Sequence, residues 1–160
     1  MKSCSFTGHR VINPKHKAKL HDLLARGIEY AYKEGCRTFY CGGALGFDTM
    51  AAQCVLHFRI KYRDIRLVIL IPCTDQSDSW SLADKQMYDY ILSSADEVAY
   101  THDGVYTPNC MKIRNERLAE LGDMLIAFSG RSTSGAAQTV RMAENMGKRV
   151  FNLYPTVVAE

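Results

Sequence analysis

Short apolar runs and longer amphipathic stretches take turns along this chain. KSCSFTG (2–8) reads as a strand. In residues 14–35, Leu20, Leu23, Leu24, Ile28 and Ala31 recur at helical spacing, and Gly35 supplies a stop. RTFYCGG (37–43) predicts a second strand, and residues 47–62 a helix whose Phe47, Met50, Ala51, Cys54, Val55 and Phe58 form a core face. IRLVILIPC (65–73) is continuously apolar and rich in β-branched residues, the pattern of a strand buried on both faces. A helix over 81–95, a strand over 96–101, a helix over 110–122, a strand over 123–130, a helix over 135–147 and a strand over 148–154 complete the series.

Six strands separated by helices predict an α/β fold. The expected form is a Rossmann-like three-layer sandwich with a mainly parallel sheet and right-handed crossovers. Its 160 residues suit one domain, 1–160, with no repeat, low-complexity tract or linker. Ligands in such sheets lie beyond the carboxyl ends of the strands, so the loops after the strands carry the functional signal.

Composition narrows the classes. The chain is 47% hydrophobic and 23% charged, with a net charge of +3. Basic residues are scattered apart from HRVINPKHKAK, so no nucleic-acid footprint is expected. The six cysteines form no CxxC pair and no His cluster joins them, which argues against a metal site. No long apolar segment opens the chain. A reduced cytoplasmic setting, without a signal peptide or membrane span, is the expectation.

The first loop, TGHR, combines a small Thr7–Gly8 pair with His9 and Arg10 as anion donors; a plain structural turn is equally compatible. The second, CGGALGFD, places Gly42, Gly43, Ala44 and Gly46 before a helix carrying Asp48 in its first turn. Such a helix start can hold phosphate, and Asp48 can complement the helix dipole or accept from a ribose or base. The spacing matches neither GxGxxG nor a Walker loop. Trp80, in the third loop, suits packing over a sheet edge better than stacking on a base. The fourth loop leads to Arg114 and Asn115, where a guanidinium can hold phosphate or carboxylate, or merely face solvent. The fifth, SGRSTSG, brings Ser129, Gly130, Ser132, Thr133, Ser134 and Gly135 to another helix start. Two glycine and hydroxyl loops together predict a cradle for a phosphate-bearing ligand.

SFTGHR, GGALGFDTMAA, YTPNCMKIRNERL and SGRSTSGAAQTVRMAENMGKRV, in order over nearly the whole chain, resemble the YpsA-like family of the SLOG superfamily. The resemblance implies a Rossmann-like fold, a nucleotide or nucleotide derivative in the crevice, and self-association as a homodimer. It implies no established reaction. GGALGFDTMAA, RNERL and TVRMA also resemble the central domain of DprA-like DNA-processing proteins, which implies contact with single-stranded DNA. LOG-type phosphoribohydrolases, which cleave the N-glycosidic bond of nucleoside monophosphates, are similar too. Arg114–Asn115 stands where their Arg-Lys pair would be, but Gln138 and Thr139 stand near their motif glutamate. A neutral amide cannot stabilise oxocarbenium charge or activate water. Asp48 and Asp75 are the nearby carboxylate substitutes.

These readings converge on a nucleotide-ligand-binding module with sensing or regulatory use, with a nucleotide hydrolase and a single-stranded DNA-binding module as alternatives. Whether the ligand is turned over stays open. The candidate contacts are Thr7, Gly8, Arg10, Gly42, Gly43, Ala44, Gly46 and Asp48 from the first half. Arg114, Asn115, Ser129, Gly130, Ser134, Gly135 and Thr139 come from the second. No cofactor or metal beyond the nucleotide itself is expected.

Overall fold

The computed structural model describes residues 2–130 and 133–159. Six strands, β1 (Lys2–Gly8), β2 (Cys36–Cys41), β3 (Arg66–Ile71), β4 (Glu97–Tyr100), β5 (Met124–Phe128) and β6 (Arg149–Asn152), form one sheet. Its order is β4-β3-β2-β1-β5-β6, and every pairing is parallel. The helices are α1 (Lys17–Lys33), α2 (Phe47–Lys61), α3 (Leu82–Ser94), α4 (Cys110–Leu121), α5 (Gly135–Asn145) and α6 (Tyr154–Val158). The Rossmann-like expectation holds.

Strand sequence dictates the two faces. In β3, Leu67, Ile69 and Ile71 join Phe6, Phe39 and Ile126 in the main core beneath α1, α2 and α3. Val68 and Leu70 point to the opposite face, where Leu118 of α4 covers them. A second small cluster there joins Ala119, Leu125, Ala127 and Ala143, seating α4 and α5 on β5. Period-two alternation, apolar on both sides, is what a parallel sheet between two helical layers requires.

β1 alternates differently. Cys4 and Phe6 enter the main core, whereas Ser3, Ser5 and Thr7 are buried hydroxyls on the α4 side. Ser3 Oγ donates to the Leu121 carbonyl at 2.6 Å, and Ser5 Oγ to the Leu118 carbonyl at 2.7 Å. Both carbonyls belong to the last turn of α4, and that of Leu118 also accepts from the Gly122 N–H at 3.2 Å. The serines therefore fix the carboxyl end of α4 against β1.

Strands β2, β3 and β5 end two residues earlier than the sequence reading, and other differences have a visible cause. The first helix begins as a 3-10 turn at Pro14–His16, capped by Asn13, and becomes α-helical at Lys17. β6 ends at Asn152, two residues before the expected end, because its amide bonds back to Ser129 through both N–H and C=O. The following Pro155 then sits in the first turn of α6, an element that periodicity did not reveal; proline is tolerated there because that N–H has no helical partner. Trp80 packs edge-on against Tyr88, as expected of a packing residue. No helix among the described residues is long and apolar enough to cross a membrane.

Candidate functional site

Strand order reverses between β1 and β5: the chain builds outward from β1 to β4 and then returns to β1's other side. The chain leaves β1 and β5 for helices on opposite faces of the sheet, and a cleft of about 580 Å³ opens at the carboxyl ends of the strands. Thr7, Gly8 and Arg10 contribute from the first loop, Ala44 and Asp48 from the second, Arg114 and Asn115 from α4, and Ser134 and Gly135 from the start of α5. Nine of the fifteen candidate residues thus meet in one place.

The glycines of the second loop do not line it. A Cβ on Gly42 would lie 2.5 Å from Arg114 Nη1 and 2.9 Å from Asp48 Oδ2, so this glycine makes room for protein side chains. Gly43, at φ +70°, lies against Ile69 and Tyr88. Gly46, at φ +75°, is pressed against the carbonyls of His9 and Arg10. At the start of α2 one amide is already taken. Phe47 N–H donates to the His9 carbonyl at 3.0 Å, and Ala44 N–H to Asp48 Oδ2 at 3.2 Å.

The start of α5 is different. Ser134 Oγ accepts from Ala137 N–H at 3.0 Å, leaving the Gly135 and Ala136 N–H groups at the cleft without helical partners. Thr139, fully buried, donates to the Gly135 carbonyl at 3.0 Å and steadies that turn from behind. Ser129 and Gly130 lie outside the lining: Gly130 N–H donates to His9 Nε2 at 3.1 Å, which fastens the β5 loop to the β1 loop. Ser132 lies outside the described residues.

Arg114 is only 5% exposed, which removes the surface-arginine alternative. Its Nε donates to Asn115 Oδ1 at 2.9 Å, and Nη1 to the Gly42 carbonyl and, at 3.5 Å, to the Leu70 carbonyl. Nη2 has no hydrogen-bond partner among the described residues. Asn115 in turn brings its amide nitrogen beside Gly135. The Asn115 amide thus stands at the first turn of α5, and Arg114 lines the same cleft.

Asp48, beside Arg114, adds an acceptor. It is 5% exposed, and its Oδ1 is buried without a hydrogen-bond partner. Burial raises its carboxyl from the usual 3.8 to about 6, against the opposing pull of Arg114, the Ala44 amide and Arg10. Burial pushes the Arg114 pKa down, and Asp48 partly offsets this. The raised carboxyl fixes a sign. Folding takes up a proton between about pH 4 and about pH 6, so the stabilisation is complete below that window and is lost as pH rises through it. Asp48→Asn is expected to remove this fall, leaving the variant about 3 kcal/mol more favoured relative to wild type at neutral than at acid pH. Urea denaturation on both sides of the window measures it; parallel wild-type and variant profiles would refute it.

Several lining residues were not singled out by the sequence as contacts. Met111 and Leu118 flank Arg114 and Asn115 at helical spacing and supply an apolar wall. That spacing was a readable signal. Val11 stands at the mouth, 85% exposed, a placement no local pattern announces. Asp75 does not line the cleft; its Oδ1 accepts from the Tyr106 N–H. All six cysteines are buried and free. Burial raises Cys36, Cys54 and Cys73 to about 11, so none of these three is a thiolate at neutral pH. No group of metal-ligating side chains occurs among the described residues.

An all-parallel sheet with a polar cleft at its point of reversal places the protein among the Rossmann-like α/β proteins. Within that class the chain belongs to the YspA SLOG family, whose model matches residues 10–153. It is 30% identical over 151 residues to the uncharacterised SPbeta prophage-derived protein YoqJ of Bacillus subtilis, covering 86% of this chain and 88% of that one. Its fold is similar to DNA processing protein A of Helicobacter pylori, described for its single-stranded DNA binding mode (TM-score 0.67, 22% identity). It is also similar to DprA of Streptococcus pneumoniae (TM-score 0.69, 20% identity). Each superposition covers 94% of this chain, which spans 64% and 50% of those two proteins, respectively.

Proposed function

We propose that the cleft binds a nucleotide or nucleotide derivative and that the protein uses this binding for sensing or regulation. One observation carries the reading: a buried guanidinium, the amides of a helix start and a carboxylate oxygen without a hydrogen-bond partner line one cleft. The Gly135 and Ala136 amides, the Asn115 amide and Arg114 Nη2 suit a phosphate, aided by the positive end of the α5 dipole. Asp48 Oδ1 suits a hydroxyl or amino group of the sugar or base. The cleft's volume lies in the usual range for small-molecule sites.

The test is a thermal-shift screen against nucleoside monophosphates, larger nucleotides and ADP-ribose derivatives, with product analysis of each hit. A ligand that binds the folded state raises Tm saturably. A hit recovered intact supports binding and sensing. A hit recovered as base plus phosphosugar replaces that reading with hydrolysis, for which Asp48 is the carboxylate in reach. If nucleotides of every size fail to stabilise the fold, the proposal falls.

A second reading is favoured by the two DprA folds: the same donors could hold a phosphate of single-stranded DNA. It requires an affinity that falls steeply with salt and grows with strand length. Saturation by a mononucleotide, with little gain from an oligonucleotide, favours the small-ligand reading.

A further inference from the structure

The loop that leads from β5 to the start of α5 is tied down at its first two residues. Asn152 holds Ser129: its side-chain oxygen accepts from the Ser129 N–H at 3.1 Å, and its amide donates to the Ser129 carbonyl at 2.8 Å. His9 holds Gly130: its Nε2 accepts from the Gly130 N–H at 3.1 Å. His9 is itself fixed. Its N–H donates to the Phe128 carbonyl at 3.2 Å, and its carbonyl accepts from the Phe47 N–H. Its ring packs edge-on against Phe128 and Tyr154, with centroids 5.3 and 5.5 Å away. The Tyr154 ring also lies so close to Gly130 that a Cβ there would overlap it.

A main-chain N–H can only donate, so Nε2 must offer a lone pair. The bond therefore exists only while the imidazole is neutral, with its proton on Nδ1. Protonation sets N–H against N–H, at a ring that packing keeps in place. The two bonds from Asn152 do not change with pH. Building on the nucleotide reading above, we infer that His9 is a pH-gated positioning residue for the ligand turn at Gly135 and Ala136. It holds the loop when neutral and releases it as pH falls and the ring takes up a proton. The ionisable groups around it, among the described residues, are Arg10 of its own loop, Asp48 of α2 and Arg114 of α4, which line the cleft with it, and Tyr154 of α6. Arg131, in the same loop as Gly130, lies outside the described residues. Asp48 titrates in the same interval, so the effect of His9 is read as a difference between proteins that share Asp48.

Two measurements test it. In the free chain, NMR should show the Nδ1–H tautomer at about pH 8. The protection of the Gly130 amide from hydrogen exchange should fall about tenfold as His9 protonates. Calorimetric titration then follows whichever of AMP, GMP, CMP and UMP binds most tightly, at about pH 8 and about pH 5. Between these, wild-type affinity should fall about tenfold more than that of His9→Gln, whose amide oxygen can accept from Gly130 but does not titrate. At about pH 8, His9→Ala should bind more weakly than His9→Gln. Unchanged far-UV circular dichroism confirms that each variant is folded. An imidazolium that simply touched the phosphate would strengthen binding in acid, so a wild-type affinity that rises relative to His9→Gln overturns the proposal. So does Gly130 exchange that ignores the state of His9. Failure of all four nucleotides to bind at either pH takes down the nucleoside-monophosphate reading and this proposal with it. Binding with parallel pH profiles takes down this proposal alone.

Discussion

Arg114→Ala is expected to weaken binding of a nucleoside monophosphate by roughly 100-fold, the scale of losing a buried, charge-assisted contact. The effect has two sources. The variant removes the Nη2 donor left for the proposed ligand, and it takes away the cation beside Asp48. Without Arg114 the Asp48 carboxyl should titrate higher still, because the guanidinium now pulls it down against burial. Arg114→Lys keeps the charge but loses the planar fork that reaches Asn115 and Gly42 at once, so it should recover only part of the affinity. Calorimetric titration with a ligand identified in the thermal screen decides the matter, with circular dichroism as the folding control. Unchanged affinity in a folded Arg114→Ala protein would remove Arg114 from the site.

Gly46→Ala should have the largest effect on stability, about 3 kcal/mol or more. The residue sits at φ +75°, where a side chain is strained, and the added methyl would overlap the main-chain carbonyls of His9 and Arg10. Backbone cannot rotate away as a side chain can. The β1 loop and the start of α2 would have to separate, breaking the hydrogen bond from Phe47 N–H to the His9 carbonyl. Chemical denaturation reads the loss directly. A variant within about 1 kcal/mol of wild type would show that the two loops are not in the tight contact described.

The order of strands and helices was legible because each element announces itself locally. The continuous apolar run of β3 and the heptad-like leucines of α1 are examples. The site was legible only in part, and Gly42 shows why. A glycine pair reports that something comes close to the backbone, but not what. Here it is the guanidinium of Arg114, which lies 72 residues further along the chain. A ligand and a distant side chain leave the same mark in sequence. The start of α5 was readable because serine before glycine is a local capping signal, whether or not a ligand follows. α6 escaped because its helix is too short to establish a period.

The cleft depends on strands made far apart. β1 receives β2 early, but its other neighbour, β5, is joined across a separation of 120 residues, as the bond between Ser3 and Asp123 records. Closing so long a loop is entropically costly and slow to achieve. During synthesis β1 therefore waits with one bare edge while about three-quarters of the chain is produced, and the cleft beside β1 and β5 is incomplete in that interval. On the proposed reading, a ligand that holds only the closed chain would also raise the share of the protein that completes folding.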